Sequence, residues 1–371
     1  MENQAQHIIL KGSNYEVGRT LGTICKEISG FSNAMRSKTA FLTKQDETQM
    51  HKLFDEFCPG INEEIAGFAE ELNIPAMQVL YYEMSYLHPG CSQVAVLPSK
   101  TKNGHTILAR NYDFNDKTDE MTLSTTIIKG KYAHIGSSIM QFGRGDGMNE
   151  HGLAVSQTSA GLPVGNFEFT AKPAIVGLQF WAVIRSVLEN CKDVDEAIQW
   201  TKKMPIAYNI NMLVADKNGH AALIESFNGE KAVKEIDADT EEQFICSTNH
   251  VHLPELKAYA PLSMTNSLER YKLICDTLDG KEHILPEDLK RLLSTKYPEG
   301  LCCHFYDEFF GTLRSMVFDV DDGTVDVCFG SPVINIWHSF KIRDEIQQAV
   351  YPVQLEREKA PIDFYSMVEN Y

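Results

Sequence analysis

No stretch of the 371 residues approaches the roughly 20 consecutive apolar positions that span a bilayer. Met1 to Lys11 holds no basic leader followed by an apolar run, so the expectation is a soluble cytoplasmic chain without a membrane partner. Basic runs are missing too. With 34 Lys and Arg against 51 Asp and Glu, the formal charge of -17 repels a phosphate backbone, which argues against nucleic acid as a partner. Repeats, low-complexity tracts and long linkers are absent. The hydrophobic fraction of 43% is enough for one large core or two modest ones. The nine cysteines are odd in number and lack C-x-x-C spacing, which favours reduced thiols over a disulfide framework.

What is present divides the chain near residue 90. The first 90 residues read as helical. Ser13-Asn14-Tyr15-Glu16 has capping-box spacing and starts a helix running towards Gly30. Leu53, Phe54, Phe57, Ile61, Ile65, Phe68 and Leu72 recur at helical spacing, with a break at Cys58-Pro59-Gly60 and a short helix after Pro75. After Gly90 the texture turns to hairpins about Lys102-Asn103-Gly104, Gly130, Lys217-Asn218-Gly219 and Asp321-Asp322-Gly323, with a strand from Leu153 to Thr158. Amphipathic helices are expected over Gly177–Asn190, Val194–Lys203, Ser263–Leu278 and Pro286–Leu293. Antiparallel hairpins with helices between them predict an α+β fold: two antiparallel sheets face to face with helices outside, a four-layer αββα sandwich.

The hairpin that begins at Cys91 carries the strongest geometric inference. A turn centred near Lys102 places Cys91 opposite roughly residue 113, within about two residues, so that it faces Arg110-Asn111-Tyr112-Asp113. Arg110 and Asp113 have opposite parity, and both approach Cys91 only if the strand ends or bends there. A guanidinium beside a thiol lowers its pKa and raises the thiolate fraction that attacks a carbonyl. The same residues also describe a small buried thiol beside a structural Arg110–Asp113 ion pair, and spacing does not decide between the two.

Several ordered motifs add to this: Leu10-Lys11-Gly12-Ser13 with Tyr15-Glu16-Val17-Gly18, Glu63-Glu64-Ile65-Ala66-Gly67-Phe68-Ala69, Gly90-Cys91-Ser92, Ala109-Arg110-Asn111-Tyr112-Asp113-Phe114, Asn149-Glu150-His151-Gly152-Leu153, Thr248-Asn249-His250 and Phe329-Gly330-Ser331-Pro332. Together they resemble the acyl-coenzyme A:isopenicillin N acyltransferase-like family, relatives of the choloylglycine hydrolases within the N-terminal-nucleophile superfamily. The resemblance covers nearly the whole chain.

It implies that the Gly90-Cys91 bond is cut by the Cys91 thiol itself, dividing the chain into a helical pro-segment or small subunit, 1–90, and a catalytic domain, 91–371. Cys91 would then be an amino-terminal nucleophile that hydrolyses a linear amide or transfers its acyl group. The freed α-amine, with an unperturbed pKa of ~7.7–8.0, is a plausible base for the thiol. By the same resemblance Asn249 supplies an oxyanion donor, Asp113 holds the new amino terminus, Arg110 stands next to the thiol, and Ser159 and Arg270 fall near pocket positions. Ser92 stands where the family commonly has threonine, and Tyr81-Tyr82-Glu83-Met84-Ser85-Tyr86 replaces an asparagine-rich approach to the cleavage site. The competing reading is an unprocessed, non-catalytic binding protein for small molecules with the same fold. The partner expected is a small-molecule amide or acyl donor, no cofactor is called for, and assembly into a homo-oligomer is left open.

Other motifs are read as structural. Adjacent Cys302 and Cys303 before His304 are poorly spaced for one tetrahedral ion, and His250 and His252 share a strand face in a loop already explained by Asn249, so no metal is expected. Arg144-Gly145-Asp146 is read as a glycine-rich turn, and Glu225 as a solvated or paired carboxylate at a hairpin end.

Overall fold

The computed structural model describes residues 3–28, 30–37, 44–83, 90–161, 164, 171–342 and 349–369; the side chains of 3, 44–46, 83, 90 and 91 lie outside that description. Two large sheets face each other. In the first, the strands run in the order Glu230–Ile236, Ala221–Phe227, Ile210–Asp216, Leu153–Ser159, Asp146–Asn149, His134–Ile139, Thr122–Ile128, Asn3–Gly12 and Ala349–Val353. In the second the order is Phe244–Ser247, Gly90–Val96, Ile107–Phe114, Phe310–Asp319, Thr324–Phe329 and Trp337–Lys341. Every pairing in the two sheets is antiparallel except Asn3–Gly12 with Thr122–Ile128.

Three apolar layers separate four structural ones. The helices Asn14–Lys26, Ile61–Leu72, Phe180–Asn190 and Val194–Lys203 form one core with the outer face of the first sheet. A second core lies between the sheets, and a third joins Thr265–Leu278 and Pro286–Ser294 to the outer face of the second sheet. This is the αββα sandwich expected. It explains why Ile210–Asp216 is buried along its whole length: Ile210, Met212 and Val214 enter the helical layer, while Leu213 and Ala215 enter the layer between sheets.

The Ser13 capping box forms as its spacing predicts: Ser13 Oγ accepts the Glu16 N–H at 3.3 Å, and Glu16 Oε2 accepts the Ser13 N–H at 2.8 Å. The helix it starts crosses Ile61–Leu72 closely, because a Cβ at Gly18 would fall on the Glu64 carbonyl and one at Gly67 on that of Tyr15. Glu64 then reaches Arg185 on Phe180–Asn190 through two contacts, at 2.6 and 2.9 Å, with Glu189 on the third guanidinium nitrogen at 2.8 Å. The helical segment is thereby bolted to the layer behind the first sheet.

The N-terminal stretch corrects one expectation. Asn3–Gly12, inside the segment read as helical, is a ten-residue strand within the first sheet. Its Gln- and Asn-containing start has little strand propensity, and pairing on both sides makes it a strand. The hairpins about residues 103, 130, 218 and 322 are found with strand ends within about six residues of those expected. Sequence reasoning also passed over Glu230–Ile236, Phe244–Ser247, Trp337–Lys341 and Ala349–Val353.

Candidate active site

The ladder between Gly90–Val96 and Ile107–Phe114 sets the site. It pairs Gly90 with Asp113, Cys91 with Tyr112, Ser92 with Asn111 and Gln93 with Arg110, one residue from the register the turn predicts. On the other side of Gly90–Val96, Ser247 pairs with Gln93. Asn249 follows two residues after that pair, past the end of its strand. The Cys91 side chain and residues 84–89 lie outside the described residues.

A bulge lies beside Asp113 in the strand next to Ile107–Phe114. The neighbouring strand shifts register between Thr312 and Arg314, with Thr312 opposite Asp113 and Arg314 opposite Tyr112, so Leu313 is bulged. Ile107–Phe114 ends one residue after Asp113.

Arg110 and Asp113 do not pair with each other in the way the structural reading supposed. Arg110 is fully buried and turns to the first sheet, with Nη1 3.0 Å from Asp146 Oδ2 and donating to the Gly145 carbonyl at 2.6 Å. Its guanidinium lies 5.3 Å from the Tyr112 ring centre. Gln93, opposite it, donates to the Asn211 carbonyl and Ser247 Oγ and accepts from Ser156, which ties the two sheets together.

Asp113 is enclosed and under-satisfied. Oδ1 accepts from Thr312 Oγ1 at 2.6 Å, whereas the buried Oδ2 has no hydrogen-bond partner among the described residues. Burial raises its pKa to about 6, against the opposing effects of Arg270, the Thr312 hydrogen bond and Arg110.

Asn249, Ser159 and Arg270 come together. The Asn249 amide nitrogen donates to Ser159 Oγ at 3.1 Å, and its oxygen accepts from Arg270 Nη2 at 2.9 Å. Arg270 also donates to Asn266 Oδ1 at 2.7 Å and lies 4.9 Å from the Phe310 ring centre. Asn211 secures the backbone on either side of Asn249, its amide donating to the carbonyls of Thr248 and His250 at 2.8 Å each. Glu225 secures the next turn of the loop, accepting the N–H groups of His252 at 2.7 Å and Leu253 at 2.8 Å. It is therefore not solvated, and it has no ion pair among the described residues: it is buried, and burial lifts its pKa to about 7.

His250 and His252 are enclosed by protein donors and acceptors. His250 Nδ1 lies 2.9 Å from Ser267 Oγ, and His252 Nε2 accepts the Thr248 N–H at 3.1 Å. Burial lowers their pKa values to about 2 and 3, so both rings are neutral. Cys302 and Cys303 are buried with raised pKa values, again from burial. His304 does approach Glu356 and Glu358, but Lys296 already pairs with Glu358 at 2.6 Å. Arg144-Gly145-Asp146 is not an exposed turn: Arg144 ends one short strand, Asp146 opens the next, and both are fully buried.

A cavity of about 760 Å³ opens beside Ser159 and Tyr112. Phe114, Ile139, Phe180, Trp181 and Phe310 make much of its wall apolar. Met35 and Leu80, from the segment before residue 90, line it as well.

Sequence reasoning missed Gln93, Asp146, Asn211, Thr312 and Glu225 as the groups that hold this arrangement. Asn211 carried a readable signal, a lone amide in the otherwise apolar run Ile210–Ala215. The others became meaningful only when the sheets met.

A family model described as acyl-coenzyme A:6-aminopenicillanic acid acyl-transferase matches residues 99–333, more than half of the chain. The chain belongs to that family. Membership makes it an enzyme of amide and acyl chemistry, an amide hydrolase or acyltransferase. No curated protein sequence matches it. Solved structures similar to it include penicillin V acylase from Agrobacterium tumefaciens, 18% identical with a TM-score of 0.45, covering 76% of this chain and 98% of that one. A mutant form of conjugated bile acid hydrolase from Clostridium perfringens is 13% identical with a TM-score of 0.43, covering 73% and 99%. The Caenorhabditis elegans ortholog of N-acylethanolamine-hydrolyzing acid amidase is 18% identical at 0.43, covering 62% and 93%. Among the described residues, no helix of this family member is long and apolar enough to cross a membrane.

Proposed function

We propose that Gly90–Cys91 is cut by the Cys91 thiol and that Cys91, as a new amino terminus, is the nucleophile of this amide hydrolase or acyltransferase. The observation that carries the reading is Asp113. A buried carboxylate oxygen without a partner among the described residues, on the residue paired with Gly90, is a receptor for a cation at the position where the new α-ammonium would arise.

In the proposed cycle the neutral α-amine takes the thiol proton while sulfur attacks the substrate carbonyl. The tetrahedral oxyanion receives a hydrogen bond from the Asn249 amide, whose orientation Arg270 and Ser159 fix. Collapse gives the thioester on Cys91, and the ammonium returns its proton to the departing amine. Water or a second amine then releases the acyl group. Arg110, neutralised by Asp146, acts by position and by stacking on Tyr112.

The apolar cavity beside Ser159 suits a lipophilic acyl or aryl group, and its volume of about 760 Å³ lies in the range of small-molecule sites, ~300–1,000 Å³. Because Met35 and Leu80 line it, residues 1–90 act after cleavage as a bound small subunit, with 91–371 as the catalytic domain.

Intact-mass analysis tests the reading. Two fragments meeting at Gly90–Cys91, absent in Cys91→Ala together with turnover, are the expected result. A single stable chain without thiol reactivity would instead make this a binding protein. Adding a competing amine separates transfer from hydrolysis by the products formed.

A further inference from the structure

A second pair of sulfurs lies away from Cys91. Cys246, on Phe244–Ser247, and Cys275, on Thr265–Leu278, have their Sγ atoms 3.9 Å apart. A disulfide needs about 2.0 Å, so the two sulfurs have roughly 2 Å to close. Both cysteines line a cavity of about 1030 Å³, whose wall also includes Lys100, Phe244, His252 and Tyr271. This cavity shares no lining residue with the one beside Ser159. Cys246 is buried and Cys275 is partly exposed.

We propose that Cys246 and Cys275 form an oxidisable dithiol, reached by hydrogen peroxide through this cavity and closed into a disulfide that clamps Phe244–Ser247 to Thr265–Leu278. The Cys275 sulfur attacks the peroxide oxygen and becomes a sulfenic acid, and the first oxygen leaves as water. The Cys246 sulfur then displaces the second oxygen, again as water, forming the S–S bond. Two thiols lose two electrons in all, and hydrogen peroxide is reduced to two waters.

The order of attack comes from the environment. The Cys275 pKa lies below the ordinary thiol value, chiefly through a hydrogen bond from Cys246 and further through Tyr271, although burial opposes this. Cys246 is shifted the other way by the same contact and by burial. Access points the same way, since Cys275 is the more exposed of the two sulfurs and meets the oxidant first.

The clamp acts on the surroundings of Asn249. Cys246 precedes Asn249 by three residues, and the helix bearing Cys275 also carries Arg270, which holds the Asn249 oxygen. The same helix accepts the Thr248 hydroxyl at the Ser267 carbonyl, 2.8 Å away. Joining the sulfurs therefore adds a covalent restraint to a strand and helix already joined around this loop. The proposal concerns thiol chemistry alone and holds whether or not Gly90–Cys91 is cut.

The test is peptide mapping of the full chain after titration with hydrogen peroxide, with alkylation of the remaining thiols. The expected product is a linked Cys246–Cys275 peptide pair, lighter by about 2 Da for the two hydrogens lost and restored by dithiothreitol. Hydrogen exchange of residues 244–250 and 265–278 should slow on oxidation in the wild type and remain unchanged in Cys275→Ala. Recovery of both cysteines alkylated, or of Cys275 as a sulfinic acid with Cys246 free, would overturn the proposal. The mapping needs only the wild-type protein, so poor folding of a variant does not obscure the result.

Discussion

Replacing Glu64 with alanine tests the physical account of how residues 1–90 are held. Arg185 is 3% exposed at its side chain and Glu64 0%, so neither charge is screened by water. Around them Glu189 receives Arg185 Nε at 2.8 Å and Lys131 at 3.2 Å, which makes a set of two cations and two carboxylates. The set balances. Removing Glu64 leaves one positive charge in excess, and Arg185 keeps only Glu189 and the Phe142 carbonyl, 2.6 Å away. Breaking a buried pair from one side costs about 3–5 kcal/mol, because the partner charge remains desolvated. Urea unfolding monitored by circular dichroism should show that loss as a lower midpoint at an unchanged slope. Arg185→Ala alone should cost a similar amount, and the double variant should cost clearly less than the two together. A loss below about 1 kcal/mol for Glu64→Ala, or strict additivity, would refute the claim that this contact bolts the segment in place.

At the site itself, Asn249→Ala should lower turnover by about 10²–10³ and, because its buried bonds to Arg270 and Ser159 are lost, cost about 1–3 kcal/mol of stability, measured by steady-state kinetics well below the melting temperature beside calorimetry. Glu225→Gln replaces one acceptor of two backbone amides by a donor, costs about 1–3 kcal/mol, and should speed hydrogen exchange at His252 and Leu253. Acidification should destabilise the fold through His7, His134, His250 and His252, whose pKa values burial lowers to about 4, 3, 2 and 3. The unfolded histidines take up protons below ~6.5 while the folded ones resist, so this stability is lost as pH falls from there towards 3. Asp113, Glu120 and Glu225 act in the opposite sense, since burial raises their pKa values to about 6, 7 and 7 and the folded state binds their protons first. Melting temperatures between pH 7.5 and 4 should therefore fall in the wild type and fall less in His134→Phe.

The sequence made local structure legible where the cause was local. Ser13 and Glu16 cap a helix within four residues, and Lys102-Asn103-Gly104 sets a register that pairs Cys91 with Tyr112. Where the cause was distant, little could be read. Arg110 turns to Asp146 because two sheets stack, and no spacing between positions 110 and 146 announces that ion pair. Glu225 looked like a surface carboxylate because a hairpin end is usually wet, yet the loop after Asn249 folds over it. Sequence pattern also failed where a strand's neighbours supply the reason for its being one, as in Asn3–Gly12.

The place of Asn3–Gly12 in the first sheet governs how late the molecule can be completed. It takes Thr122–Ile128 on one side and Ala349–Val353 on the other, so its second partner is translated more than three hundred residues after it. At ~5–20 residues per second the ribosome needs roughly 20 s to a minute to supply that partner. For that interval the sheet has an open edge at Asn3–Gly12, and any chaperone that engages the nascent chain would find an unpaired strand there. Completion of the sheet thus waits on Ala349–Val353, and a chain stopped before residue 349 would keep that edge exposed.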